Sequence, residues 1–285
     1  MSETSLAGHA WADLRRNKIF WASAALVALV LLMAVFPSLF TSADPGVCAL
    51  ANRNKGPAVG SWFGYDFQGC DVFARTVYGT RNSIVVGLLS TLLAGVLGLI
   101  VGLAAGYFGG VVDAVLSRLT DIMLGVPILL AAVVFSGRLS SPGGDNVTAV
   151  TITLGVLSWT AAARVMRSAV ITAKSQDYVA AARMLGAGPA RLMFRHILPN
   201  SVASYIVVVT ILLGTNIAAE ATLSYLGVGL GGDAISWGRQ IAEAQDYARI
   251  VAHPLAWPAA FLAATVLAFI MLGDAIRDAF DPKLR

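Results

Sequence analysis

The chain carries little charge for its length. Charged residues make up 13% of its 285 residues, about half the share found in an ordinary soluble domain, while hydrophobic residues make up 57%. The net charge of +4 comes from basic residues at the ends of apolar blocks, without the interleaved aromatic residues of single-strand nucleic acid binders. The composition therefore excludes a soluble domain and argues against a nucleic acid partner.

The sequence also lacks the common motifs of catalysis and metal binding. It contains no G-x-x-x-x-G-K-[ST] phosphate loop, no H-E-x-x-H pair and no G-x-S-x-G turn. Its three histidines, His9, His196 and His253, are far apart, and each is more typical of a surface or packing residue than of a ligand. We therefore predict no catalytic residue, no metal site and no cofactor bound by this chain.

Apolar blocks long enough to cross a bilayer recur along the chain. A spanning helix needs about 20 residues, and backbone groups in lipid must satisfy one another, which favours helices. We count about six candidate spans, at residues 19–40, 83–107, 119–137, 147–166, 202–220 and 255–273. Asp121 and Pro127 interrupt the third, and Arg164 lies near the edge of the fourth. The predicted fold class is an all-α integral membrane protein.

The first apolar block predicts a retained anchor helix. It exceeds the ~7–15 apolar residues of a signal peptide, and no small-residue cleavage pattern follows it. The predicted organisation is a cytoplasmic N-terminal segment at 1–18, the anchor at 19–40, an extracytoplasmic loop at 41–82, a transmembrane core at 83–273 with a cytoplasmic coupling loop at 167–200, and a cytoplasmic tail at 274–285.

The charges of the connecting segments predict which side each segment faces. Cytoplasmic segments of membrane proteins carry an excess of Lys and Arg. Segment 164–200 has six basic residues against the single acid Asp177, whereas segment 221–254 has two basic residues against three acidic ones. The four basic residues of segment 41–82 fit the rule less well. The balance favours both termini in the cytoplasm.

Both cysteines, Cys48 and Cys70, fall in the predicted extracytoplasmic loop. Two thiols on the exported side of a membrane, with none elsewhere, favour a disulfide, and two unrelated free thiols are the alternative. A bridge closing a loop of this size stabilises the fold by ~3 kcal/mol through the entropy of the unfolded chain.

The second span carries glycines at every fourth position. Gly98, Gly102 and Gly106 would lie on one helix face, with Gly95 near it, and small residues at this spacing let two helix backbones approach closely. The chain has 28 glycines, so chance is the competing explanation. We predict that the three glycines pack helices together and have no direct role with a substrate.

Acidic residues near the ends of two spans need an explanation. Glu220 lies near the outer end of the fifth span, where an ionisable group is a functional candidate, although Thr215, Asn216 and Thr222 could equally satisfy it as a structural residue. The C-terminal charges are more typical of a solvated face, and they comprise Asp274, Arg277, Asp278, Asp281 and Lys283.

Residues 177–200 predict two short helices joined by a glycine turn. Tyr178, Ala181, Ala182 and Leu185 follow the spacing of one apolar helix face. The remaining signals are Asp177 in the first turn, a stop at Gly186 and Gly188, Pro189 opening a second helix that continues through Leu192, Met193 and His196, and Pro199 ending the excursion. Such a segment could lie on the lipid surface or fit a groove on a partner.

The same segment resembles the EAA loop of binding-protein-dependent ABC importers. That pattern reads E-A-A, three residues, Gly, nine residues and then x-x-Leu-Pro, and the matching positions are Ala181, Ala182, Gly186, Leu198 and Pro199. The glutamate is replaced by Ala180. This departure puts a salt bridge from that position in doubt, and Asp177, one turn earlier, is a possible substitute.

A second stretch is similar to the C-type permease subunit of the oligopeptide, dipeptide and nickel branch. In FGYDFQGCDVFARTVYGTRNSI the matching residues are Gly64, Asp66, Gly69, Asp71, Val72, Arg75, Tyr78, Gly79 and Arg81. Cys70 stands where that pattern usually has Arg, which strengthens the case for pairing with Cys48. AEATLSYLGVGL, SWGRQIAEA and LGDAIRDAFDPKLR extend the resemblance over about residues 60–285.

The resemblance implies a type I ABC importer permease fold in a bacterial cell membrane. The chain would form half of a pore with a B-type permease subunit, with two ATP-binding subunits or one fused ATPase beneath it and a solute-binding protein outside; ATP and Mg would be bound by those partners. The implied ATPase-coupling residues are Asp177, Tyr178, Ala181, Ala182, Leu185, Gly186, Ala187, Gly188, Pro189, Arg191, Leu198 and Pro199.

The cargo, the protein class and the place of one segment stay open in the sequence. Peptides are the expected cargo, and nickel, haem, glutathione or sugars are the alternatives. The competing class of protein is an ATPase-independent channel or an intramembrane enzyme. Segment 233–253 has helical spacing and could either face the solute-binding protein together with the cysteine loop or cap the pore.

Overall fold

The computed structural model describes residues 6–280, and the predictions for Asp281 and Lys283 lie outside them. The described chain is helical, without a β-strand, and only isolated β-bridges occur in the loop after the first span. The helices are α1 Leu6–Arg16, α2 Lys18–Val35, α3 Val72–Phe108, α4 Gly110–Gly125, α5 Ile128–Leu139, α6 Val147–Lys174, α7 Asp177–Met184, α8 Pro189–Arg191, α9 Leu198–Tyr225, α10 Trp237–Ala244 and α11 His253–Phe280.

Five of these elements are long and apolar enough to cross a membrane as single helices. They are α2, α3, α6, the continuous helix Pro189–Tyr225 and α11. A sixth crossing requires α4 and α5 together, and these two helices meet at 88°. The third candidate span at 119–137 thus falls on two helices, and Pro127, which interrupts it in the sequence, lies between them.

The bend between α4 and α5 has a local cause at Pro127. The residue before a proline is driven into extended conformation, and Val126 has φ −82° and ψ 125°. The helix must stop there, so α4 ends at Gly125 and α5 begins just after the proline. The sequence contained this signal, since Pro127 interrupts the apolar block of the third candidate span.

Helix α3 extends well beyond the predicted second span. Asp71 caps its first turn by accepting a 2.9 Å hydrogen bond from the Ala74 backbone N–H. The helix therefore begins at Val72, and the last part of the predicted loop 41–82 is helical. This extension places Arg75 and Thr76 where they bond to side chains of α10.

The three predicted packing glycines lie where α3 crosses α6. A Cβ at Gly102 would lie 2.5 Å from the Ala163 carbonyl oxygen, and one at Gly98 would lie 2.7 Å from the Ala162 Cβ. A Cβ at Gly106 would lie 2.8 Å from the Val170 Cβ. The two backbones approach so closely that no larger residue fits without a shift.

The chain passes from the glycine turn into the fifth span without a break. Residues Leu192–Ile197 form a π-helix, in which the Leu198 N–H donates to the Met193 carbonyl, and α9 follows directly. Leu198 and Pro199 therefore do not stop the helix, which continues through them. A proline cannot donate to the preceding turn, and the wider π turn just before it accommodates that loss.

Candidate coupling surface and polar brace

Helix α7 is anchored to the bundle by a residue outside the predicted apolar face. Val179 is fully buried and lies in one apolar cluster with Met166 and Val170 of α6 and with Ile197. Ala182 packs at the edge of the same cluster. Because its anchor lies in the same apolar cluster as residues of α6, α7 is packed onto the bundle and is not a free surface helix.

The turn after α7 is a Schellman motif. The Ala187 N–H donates to the Ala182 carbonyl at 3.1 Å, and the Gly186 N–H donates to the Arg183 carbonyl at 3.0 Å. Gly186 has φ +83°, a left-handed conformation that glycine adopts at little cost. Gly188 has an ordinary negative φ and precedes Pro189, which opens the next turn. The glycine pair thus ends one helix and positions the next.

The apolar face predicted for α7 points outward. Leu185 is 88% exposed, Ala181 is exposed, and Tyr178 is also largely accessible, so only Ala182 of that set packs inward. The helix turns this face outward because Val179 occupies the inner side. The outward face leaves Ala181 and Leu185 available to contact lipid or a partner, the two uses that the sequence left open.

Apolar and basic side chains share the exposed end of this segment. We call Met184, Leu185 and Phe194, together with the exposed Arg183, Arg191 and Arg195, the coupling surface. Met184 and Phe194 are 84% and 58% exposed. An isolated protein rarely leaves such large apolar residues together in water, so the composition indicates a surface that contacts another molecule.

The other predicted coupling residues surround this surface. Asp177, Gly186, Gly188, Pro189 and Pro199 are exposed, whereas Ala187 and Leu198 are partly buried against the α6 cluster. The Tyr178 hydroxyl lies 3.4 Å from the His196 carbonyl oxygen, across the turn. Desolvation raises the pKa of this phenol, so it remains a protonated donor.

A second polar cluster lies at the opposite end of α3. Arg75 forms ion pairs with Asp66 at 2.8 Å and with Glu243 at 3.0 Å, and Arg239 pairs with Glu243 at 2.8 Å. We call these four residues the polar brace. It joins the cysteine loop to α3 and α10, and Cys48 and Cys70 are joined by a disulfide beside it.

Glu220 lies on α9 and is completely buried. Its carboxyl group accepts hydrogen bonds from Ser224 at 2.8 Å, from Ser236 at 3.0 Å and from Ser83 at 3.4 Å. Ser236 in turn caps α10, and Ser83 accepts from the Trp237 backbone N–H. These contacts favour the structural alternative for Glu220, with partners on α3 and α10.

Helix α10 is packed inside this end of the bundle and does not lie free on a surface. Trp237 is fully buried, and its indole N–H donates to the Thr76 carbonyl at 3.0 Å. Gln240 bonds to the Thr76 hydroxyl and to the Arg75 carbonyl. Sequence reasoning missed these partners. The residue spacing in α10 predicts a polar helix, but it does not show which groups of α3 form hydrogen bonds with it.

Comparison with known proteins now identifies the arrangement. Residues 98–285 match the family described as "Binding-protein-dependent transport system inner membrane component", and residues 5–57 match "N-terminal TM domain of oligopeptide transport permease C". The chain belongs to this binding-protein-dependent permease family. It is a membrane-embedded transporter subunit of an ABC importer and not an enzyme.

Relatives of this permease cover nearly its whole length. It is 37% identical over 271 residues to the oligopeptide transport system permease protein OppC of Bacillus subtilis (strain 168), covering 95% of this chain and 88% of that protein. It is 34% identical to the dipeptide transport system permease protein DppC of Alkalihalophilus pseudofirmus, covering 97% and 90%. A glutathione transport system permease protein GsiD of Escherichia coli is 33% identical, covering 96% and 90%.

Solved structures support the fold of the permease. An inward facing MetNI methionine ABC transporter has a TM-score of 0.59 at 21% identity, covering 72% of this chain and 96% of that chain. An amino acid ABC transporter crystallised with histidines has a TM-score of 0.55 at 19% identity, covering 70% and 91%. At these identities the likeness shows the fold alone.

Proposed function

We propose that this permease is the C-type subunit of a peptide importer. It pairs with a B-type permease subunit to form the pore, receives cargo from an extracytoplasmic solute-binding protein, and is driven by two ATP-binding subunits or one fused ATPase. The observation that carries this proposal is the near-complete coverage by permeases named for oligopeptides and dipeptides. Glutathione, named for other relatives, is itself a peptide and falls in the same cargo class.

In this proposal the ATPase contacts the coupling surface on the cytoplasmic side of a bacterial cell membrane. The excess of basic residues in segment 164–200 supports this orientation, with both termini in the cytoplasm. The cysteine loop and α10 then face the exported side, where a disulfide persists. The permease itself binds no cofactor, and ATP with Mg is held by the ATP-binding subunits.

The anchoring of α7 supports a mechanical coupling role. Nucleotide binding that moves the ATPase subunits displaces the coupling surface, and Val179 transmits the displacement to the apolar cluster that it shares with Met166 and Val170 of α6. The helix continues from Pro189 to Tyr225, so the same displacement reaches a spanning helix along its own axis. The permease alternates between inward and outward openings, and each partner shifts the balance only through different affinities for the two.

Ala180 limits how the ATPase is held. A salt bridge from the usual glutamate position is not available, so apolar contacts from Met184, Leu185 and Phe194 provide the docking, while Arg191 and Arg195 meet acidic groups of the partner. Truncation of a large residue at the centre of an interface typically costs ~1–2 kcal/mol or more of binding free energy.

The substitution Leu185→Glu tests this docking. Leu185 is 88% exposed, so the variant permease should insert and fold normally but lose at least ~10-fold in ATPase affinity. The measurement is co-purification of the ATP-binding subunits, followed by peptide uptake into proteoliposomes. Val59→Glu is the matched control, since Val59 is fully exposed in the cysteine loop. Retained co-purification and uptake in L185E would contradict the proposal.

The cargo class needs a separate measurement. Vesicles containing the complete importer should accumulate a labelled dipeptide or tripeptide when ATP and the solute-binding protein are supplied. Excess unlabelled peptide should compete, whereas nickel and haem should not. Accumulation by the isolated permease without an ATPase would instead support a channel.

A further inference from the structure

A cavity of about 420 Å³ lies between α3, α4 and α6. Its size is in the range of small-molecule sites, about 300–1,000 Å³. The residues that matter in its lining are Gly102, Ser117, Thr120, Asp121, Arg164 and Arg167. Its wall thus combines a close helix crossing at Gly102 with charged side chains from two neighbouring helices.

Two ion pairs balance the charge of this cavity. Arg167 pairs with Asp113, with Nη2 2.7 Å from Oδ2, and Ser117 also donates to Asp113 at 3.0 Å. Arg164 pairs with Asp121 through one contact, Nη2 to Oδ1 at 2.9 Å. The first pair is the more covered and fixes α4 to α6. The second pair is 57% and 52% exposed and presents the remaining Arg164 and Asp121 atoms to the cavity.

The exposed pair lies near the ends of two candidate spans, with Arg164 at the edge of the fourth and Asp121 close to the start of the third. Arg164 is about 15 Å along α6 from its end at Lys174, at a rise of about 1.5 Å per residue. Charged side chains inside spans face a bundle interior or a water-filled cavity, because exposing them to hydrocarbon is costly. Arg164 and Asp121 both line the cavity, in agreement with this rule.

We infer that this cavity is a cargo-contact site, in which Arg164 binds the terminal carboxylate of a peptide and Asp121 binds its terminal ammonium group. This inference rests on the proposed function. A guanidinium presents paired N–H donors that match a carboxylate, and a carboxylate accepts from an ammonium group. Both peptide termini are independent of side-chain identity, so the site suits cargo of varied sequence.

The ion pair also keeps the charge of the site balanced before cargo arrives. Without cargo, Arg164 and Asp121 neutralise each other, and no uncompensated charge remains inside the span. A zwitterionic peptide replaces one ion pair by two, so charge stays balanced before, during and after passage. Arg167 and Asp113 remain paired throughout and keep α4 and α6 in place.

The test pairs a change in the protein with a change in the cargo. Uptake of a free tripeptide and of its C-terminal amide is measured with the complete importer, for the wild-type protein and for Arg164→Gln. The ratio of free to amidated uptake should fall ~10-fold in R164Q, as expected for loss of one charge-assisted contact. Any preference of the solute-binding protein is the same in both proteins and cancels.

Asp121→Asn provides the second arm, with an N-acetylated peptide in place of the amide. Arg118→Gln is the matched control, since Arg118 is on α4 but outside the cavity lining. An unchanged ratio in both R164Q and D121N overturns the inference. A zwitterionic lipid headgroup shares this chemistry, and if it were the occupant, R164Q would lower uptake of both peptides by one common factor, which also overturns it.

One readout separates this inference from the proposed function. ATP hydrolysis by the wild-type importer should rise when loaded solute-binding protein is added, and the rise should persist in the control R118Q because the coupling surface and the cavity lining are both unaltered. Absence of that stimulation in the wild type would overturn the proposed function. Stimulated hydrolysis with an unchanged free-to-amide ratio would overturn only the cargo-contact site.

Discussion

The hydroxyl of Ser236 donates a 3.0 Å hydrogen bond to the buried carboxyl group of Glu220, and this contact joins the start of α10 to the interior of α9. Ser236 simultaneously accepts from the Arg239 backbone N–H, so it is both the helix cap and the link. The position of α10 over its end of the bundle therefore depends on an acid in another helix.

Glu220→Ala should destabilise this end of the permease. The serine hydroxyls on Ser83, Ser224 and Ser236 would lose their common acceptor, and a buried polar group left unpaired costs ~1–3 kcal/mol. We expect a lower thermal midpoint of the assembled importer and faster amide hydrogen exchange in α10. Glu220→Gln keeps an acceptor oxygen and should be milder. Equal behaviour of the two variants would contradict the hydrogen-bonding explanation.

Gly186→Ala should weaken coupling through backbone conformation alone. Nothing lies within 4 Å of a Cβ at this position, but φ is +83°, where a side chain costs ~1–2 kcal/mol. We expect faster hydrogen exchange across residues 177–192 and a several-fold loss of stimulated ATP hydrolysis. Gly188→Ala is the matched control, because its Cβ is equally unobstructed and its φ is −70°. The same loss in both variants would refute this explanation.

Gly102→Ala should separate α3 from α6. The new Cβ would lie 2.5 Å from the Ala163 carbonyl oxygen, which is backbone and cannot rotate away. Overpacking of this kind costs ~1–3 kcal/mol, and a lower thermal midpoint in detergent would report it. Gly137→Ala in α5 is the control, since its Cβ meets no atom within 4 Å. That variant should be neutral or slightly stabilised, and a midpoint as low as that of G102A would count against close packing.

Cys48→Ser should loosen the cysteine loop without preventing membrane insertion. Loss of the bridge removes ~3 kcal/mol of stabilisation from this segment, because the unfolded loop regains its entropy. Limited proteolysis should cut residues 41–71 faster in C48S than in the wild type, and reductant should have the same effect on the wild type. The permease has only two cysteines, so a thiol reagent should not label the unreduced wild-type protein. Labelling without reductant would show that the bridge is absent.

Local sequence signals predicted most of the helices. Apolar length gave the spans that form α2, α3, α6, α9 and α11, and Gly186 with Pro189 predicted the turn after α7. Such signals act within one helix or turn and depend little on residues that are distant in the chain. The bend at Pro127 and the passage through Pro199 show the limit, because a proline permits either a break or a continuous helix depending on the geometry around it.

The sequence by itself determined that this is a helical membrane protein with a basic, glycine-broken segment between two spans, since bilayer thickness and backbone hydrogen bonding leave few other solutions. Only the tertiary structure decided which side of α7 faces outward, that Glu220 bonds to serines on α3 and near α10, and that Arg164 pairs with Asp121 beside a cavity. Those facts depend on contacts between residues far apart in the chain. Helical periodicity gives each residue a face, but only packing determines what that face contacts.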